Sequence, residues 1–134
     1  MDDVATWLVV YVRENAGVAG TVHVRRGETL ELRAAHNIPA SVIEAVQSIP
    51  KGKGMAGLAF ERDESVTTCN LKTDRTGTVR PGARAVDANA AVALPVHDAR
   101  GDVRAVVGIA FAGERDIEPI ELERLAARAE ELPA

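Results

Sequence analysis

One cysteine, three histidines and a glycine-rich turn are the groups in this chain whose type and spacing could do chemistry. The turn Gly52-Lys53-Gly54-Met55-Ala56-Gly57 has the letters of G-x-G-x-x-G. A dinucleotide fingerprint also needs a strand before it, a long helix after it and an acid about 20 residues further on. The sequence instead predicts a helix that ends near Pro50 before the turn and only about six helical residues beyond it. The plainer reading is a tight turn into a short helix, with Gly57 allowing close packing on a sheet. His23, His36 and His97 are isolated from one another, with no i, i+4 or H-x-x-E-H spacing, so local sequence holds no metal site. Solvated or structural roles fit all three. Cys69 has no neighbouring base or cation to lower its pKa and no second cysteine to resolve an oxidised sulfur. A small buried hydrophobe in a strand is the expected role, and no residue is assigned to catalysis.

The basic residues Lys72, Arg75, Arg80 and Arg84 make the one local positive stretch, set against Asp74 and Asp87. They lie in residues 72–89, which show no clear period and form a long connection. A connection of that length inside a small domain is usually functional or disordered. Two readings stand: a lid that offers Arg or Lys to an anionic group, or a solvated loop.

The elements that must position these groups follow from periodicity. Residues 4–14 place Val4, Leu8, Tyr11 and Val12 at helical spacing beside Trp7, with Asp2 and Asp3 at the start and Gly17 past the end. Residues 20–26 and 29–35 alternate and turn at Arg26-Gly27-Glu28, a hairpin. Pro39 opens a short helical stretch through Val42, Ile43 and Val46. Residues 65–71, 90–96 and 103–111 read as strands, the last apolar on both faces and therefore central. Pro119 starts a closing helix that runs to Leu132. Hairpin connections with flanking helices predict an α+β layout built on an antiparallel sheet.

The 134 residues suit one domain, 1–134, large enough to fold without a disulfide or metal. Only Trp7, Tyr11, Phe60 and Phe111 are aromatic, so the core must come from Val, Leu, Ile and the 23 alanines. No apolar run approaches a membrane span, and no basic-then-apolar signal pattern opens the chain. A cytoplasmic location is expected. Residues 1–113 balance 13 basic against 13 acidic side chains, and the last 21 carry seven acids against three arginines. A neutral body with an acidic tail argues against a nucleic-acid partner.

The order of motifs resembles a GAF domain, a small sensory domain of signalling proteins. The matching stretches are LELRAAHNIP, IPKGKGMAGLAF, ESVTTCNL, AVALPVHDARGDVRAVVGIAF and RDIEPIELERLAARAEEL, which together span nearly all of residues 4–132. Asn37 stands where the family usually has glycine, and asparagine tolerates the left-handed backbone required there. The resemblance implies a five- to six-stranded antiparallel sheet with terminal helices on one face, and short helices plus a long loop around a ligand pocket on the other. It points to Met55, Leu58, Thr67, Cys69, Arg80, Arg84 and Leu94 as pocket candidates, for a small anionic or polar ligand. The Asn-Lys…Phe…Asp-Glu pattern of the cyclic-nucleotide binders is absent, because Asn70 and Lys72 are not adjacent. Cys69 is in neither setting that bilin attachment uses, and one cysteine cannot form the disulfide of the family's free methionine sulfoxide reductases. No cofactor is implied.

The expectation is a non-enzymatic sensory or regulatory module, alone or as a piece of a signalling protein, binding a small molecule or a signalling partner. An adaptor with a self-filled pocket and a small metabolite enzyme are the alternatives. The apolar circumference of the first helix and the stripe on the last predict a homodimer through Trp7, Val9, Val10, Ala126 and Ala129.

Overall fold

Side chains of the first hairpin alternate on either side of a bulge between Val22 and His23. The computed structural model describes residues 3–68, 90–113 and 116–133. Its elements are α1 (Asp3–Glu14), β1 (Ala19–Arg26), β2 (Thr29–His36), α2 (Ala40–Ala45), β3 (Ser48–Pro50), α3 (Gly54–Arg62), β4 (Val66–Thr68), β5 (Ala90–His97), β6 (Val103–Phe111) and α4 (Pro119–Ala129). Six strands form one sheet in the order β3-β2-β1-β6-β5-β4, with every neighbouring pair antiparallel. None of the described helices is long and apolar enough to cross a membrane.

The period of two along the strands divides the core into two layers. It is shifted by one at that bulge in the β1–β2 pair and at another between Val96 and His97 in the β5–β6 pair. Val22, Ala34, Val92, Leu94, Val96, Ala105, Val107 and Ile109 face α1 and α4, where Leu8, Tyr11, Val12, Leu125 and Ala129 cover them. Leu30, Ile49, Ala93 and Val106 face the other way and pack under Ala59 and Phe60 of α3. Val42 of α2 covers Ala19 and Ala110 on that same face. β6 is therefore buried on both sides, as its two apolar faces require. The α+β architecture, with terminal helices on one face and short helices on the other, agrees with the expectation.

Three boundaries differ from the sequence reading. The stretch from Pro39 to Pro50 is not one helix: α2 ends at Ala45, and Ser48–Pro50 pairs with β2 as an edge strand. Ile49 goes into the core while Ser48 and Pro50 stay exposed, and an edge position tolerates the missing proline N–H. A strand, not a helix, thus precedes the glycine turn, yet β3 is antiparallel to its neighbour and α3 has nine residues, so no dinucleotide-binding βαβ unit arises. α4 ends at Ala129 rather than Leu132, although Leu132 still packs in the core. Of the predicted strand 65–71, residues 66–68 form β4, and Cys69 to Leu71 lie outside the described residues. Asn37 has φ 55°, in the left-handed region, and its Nδ2 donates to the Val18 carbonyl at 3.1 Å.

Candidate functional site

A cavity of about 140 Å³ lies between the sheet and the pair α2/α3. Its floor is the face of the sheet carrying the smallest residues, Ala91 and Ala93 on β5 with Gly108 and Ala110 on β6. Ile38, Val42, Val46 and Ile49 wall one side, and Gly54, Met55 and Ala56 of α3 wall the other. A side chain at Gly108 would not fit without displacement, since its Cβ would stand 2.8 Å from Thr21 Oγ1 on the paired strand. Bulk on α2 opposite alanine and glycine on the sheet leaves the space open.

Among the described residues, Thr21, His23 and Lys53 are the polar side chains on this lining. His23 is 2 % exposed, and its Nε2 lies 2.8 Å from the Val46 carbonyl. A carbonyl only accepts, so Nε2 carries the proton and the ring ties the end of α2 to the sheet. That is a structural role, in keeping with the reading of His23 from sequence. Lys53 is exposed and precedes α3, so it sets a cation beside that helix's first N–H groups. Such a surface gains chiefly by covering an apolar body, with Lys53 and Thr21 available to a polar end. Dry apolar cavities of roughly 150 Å³ in other proteins take up a molecule the size of benzene.

Of the pocket candidates named from sequence, Met55 is on the wall. Leu58, one turn further along α3, is absent from the lining and packs instead against the cluster of Ile49 and Phe60. Leu94 is fully buried on the opposite face of the sheet, under α1 and α4, since β5 presents Ala91 and Ala93 to the cavity and Leu94 alternates with them. Thr67 is exposed, and pairing with Val92 turns its side chain to that same far face. Cys69, Arg80 and Arg84 lie outside the described residues, as do Lys72 and Arg75. Thr21, Val42 and Lys53 were missed, although the alternation of β1 already placed Thr21 and His23 on one face.

The dimer candidates divide similarly. Ala129 is fully buried and Trp7 8 % exposed within the single chain. Trp7 stacks on Tyr11 at 4.7 Å between ring centroids and lies beneath the Arg128 guanidinium. Both are core residues, so Val9, Val10 and Ala126 alone retain surface. Val10 is 45 % exposed.

No protein-family model matches the sequence, and a search of curated proteins finds no significant match. Solved structures with the same architecture are numerous. The GAF domain from an Acinetobacter phosphoenolpyruvate-protein phosphotransferase superposes with a TM-score of 0.72 at 17% identity, over 98% of this chain and 82% of that one. The A. aeolicus Nlh2 GAF domain in an inactive state gives a TM-score of 0.66 at 20% identity, over 96% and 76%. This chain has a GAF-like fold. The same architecture is shared by the type II free methionine-R-sulfoxide reductase from Thermoplasma acidophilum, with a TM-score of 0.77 at 14% identity over 96% of this chain and 85% of that one. The structures that share this architecture therefore include both GAF domains and a free methionine-R-sulfoxide reductase.

Proposed function

We propose that this chain is a GAF-like sensory or regulatory module that binds a small molecule between its sheet and α2/α3, carries out no reaction of its own and acts as a homodimer in the cytoplasm. The observation that carries the reading is the cavity of about 140 Å³, lined among the described residues mostly by apolar groups and walled by the short helices α2 and α3. A ligand suited to it has a compact apolar body against Val42, Val46 and Met55. One anionic or polar group would face Lys53, with Arg80 and Arg84 as further cationic partners. Filling the cavity would fix α2 and α3 on the sheet and bias the module toward one arrangement, which a signalling partner would read.

Native mass spectrometry of protein purified from its own host tests this. A retained small molecule supports the sensor, and an empty chain that also gives no thermal shift with anionic metabolites overturns it. Ligand at 100 times its dissociation constant adds about 2.7 kcal/mol of stability, which such a shift detects. Lys53→Ala and Arg80→Ala should each weaken the shift.

A reductase reading is favoured by the likeness to the Thermoplasma acidophilum enzyme. The single cysteine weighs against it, because an oxidised Cys69 has no second thiol in its own chain to condense with. Turnover of free methionine-R-sulfoxide that disappears in Cys69→Ala would replace the sensor reading with this one. The expected outcome is no turnover, with Cys69→Ala folded at a cost of about 1 kcal/mol.

A further inference from the structure

At the end of β5, His97 stands between two carboxylates from different helices. Its Nε2 is 2.5 Å from Asp63 Oδ1, and its Nδ1 is 2.6 Å from Glu130 Oε2. Glu130 uses its other oxygen as well, Oε1 accepting the His97 backbone N–H at 2.8 Å. Asp63 is the residue that ends α3, at φ 52°, and Glu130 is the residue that ends α4. A left-handed position that aspartate tolerates turns the chain away from α3 at the residue that reaches His97.

A carboxylate only accepts, so both contacts together require both ring nitrogens to donate, which only the imidazolium does. Neutral imidazole keeps one donor and sets a lone pair against the other carboxylate. One contact must then open.

We propose that His97 is a proton-operated latch that joins the end of α3, a helix of the pocket wall, to the end of α4, the helix covering the opposite face of the sheet. Among the described residues, the other charged groups around it do not replace either contact. From β6, Arg104 donates through Nε to the His97 carbonyl at 3.2 Å and through Nη2 to the Leu132 carbonyl at 2.6 Å. Asp98, next in the chain, turns its carboxylate to the N–H groups of Arg100 and Asp102. Arg104 thus holds the backbone while the ring is free to change partners. The His97 side chain is 30 % exposed, so bulk protons reach it.

The hydrogen bond to Glu130 first, and that to Asp63 second, raise the His97 pKa above its ordinary 6.5. A pKa raised on folding favours the folded, latched state while the ring is charged. The contribution is full below 6.5 and is lost as the pH rises through the raised value. The latch is therefore closed in mildly acidic solution and opens on the alkaline side of 6.5, whether or not the pocket holds a ligand.

Nitrogen NMR of the histidine rings in the labelled full chain, titrated from about pH 5 to about pH 9, tests the proposal. His97 should carry a proton on both nitrogens at the acidic end and titrate later than the histidines of the same chain unfolded in urea. Backbone amides of Arg62, Asp63, Glu130 and Glu131 should move with the same midpoint. His97→Gln should fold and lose that shared inflection, and Glu130→Gln should lower the midpoint. A midpoint at or below that of the unfolded chain would overturn the latch. So would an α4 inflection that persists in His97→Gln.

Discussion

The Tyr11 hydroxyl donates to the Leu125 carbonyl at 2.9 Å, joining α1 to α4 across 114 residues of sequence. Both groups are buried, and burial first, then the charge of Glu14, pushes the phenol pKa far above its ordinary 10.0, while Arg128 opposes the shift. The hydroxyl therefore stays a donor over the whole working range of pH. Beside it, Arg128 reaches Glu14 across the same pair of helices at 2.5 Å. The two terminal helices are held to each other as well as to the sheet.

Tyr11→Phe keeps the ring stacked on Trp7 and removes only the donor. A typical intramolecular hydrogen bond contributes about 1 kcal/mol net. In urea the variant should unfold at a lower midpoint with an unchanged slope, its unfolding free energy reduced by that amount. No loss of stability would show that the Tyr11–Leu125 hydrogen bond does not hold the two helices together.

Gly57→Ala should cost more. A Cβ at position 57 would stand 2.6 Å from the Pro50 carbonyl oxygen and 3.2 Å from the Gly52 nitrogen, both backbone atoms that cannot swing aside. The Gly52 N–H bonds the Gly57 carbonyl at 2.9 Å, and the Gly57 N–H bonds Lys53 at 3.1 Å, so the turn closes on itself. Overpacking of this kind costs about 1–3 kcal/mol. Denaturant unfolding that matches the wild type would show that α3 can shift freely on the sheet.

The fold was legible because period and burial coincide. Val4, Leu8, Tyr11 and Val12 at helical spacing all became core, and the alternation of β1 and β6 set their pairing. Ser48–Pro50 was misread because three residues are too few for a period, and what makes them a strand is pairing with β2. At the pocket, sequence located the glycine turn and Met55 but selected Leu94 over its neighbours Ala91 and Ala93. A cavity forms where side chains are small, and hydrophobic size points the other way. The group His97, Asp63 and Glu130 gave no local signal, since its members are 34 and 33 residues apart and meet only when two helix ends converge on one strand.

Ala91→Leu tests the cavity directly. Ala91 is half-buried on the floor, so a larger side chain would grow into the open space instead of into packed neighbours. The expected variant folds with stability within about 1 kcal/mol of the parent and retains no small molecule. Retention equal to that of the wild type would place the ligand elsewhere. A fall of several kcal/mol would mean that the space is already occupied.

The last prediction concerns self-association. The sequence reading gave the interface to Trp7, Val9, Val10, Ala126 and Ala129, but Trp7 and Ala129 are used within the chain. Val10 at 45 % exposure, with half-buried Val9 and Ala126, is the apolar surface left on α1 and α4 from that set. Two copies related by a two-fold axis would cover it by packing α1 and α4 as a four-helix arrangement. Arg128 and Glu14, paired across the helices, would flank that contact and limit it to one register. Light scattering at tens of micromolar, roughly the range in which modest interfaces assemble, should report a dimer. Val10→Glu should yield a folded monomer with an unchanged far-ultraviolet spectrum, because position 10 faces outward and its replacement leaves the core intact. Ala126→Glu should do the same at the opposing helix. A monomeric wild type would remove the dimer from the functional reading. A dimer indifferent to both substitutions would move the interface away from the terminal helices.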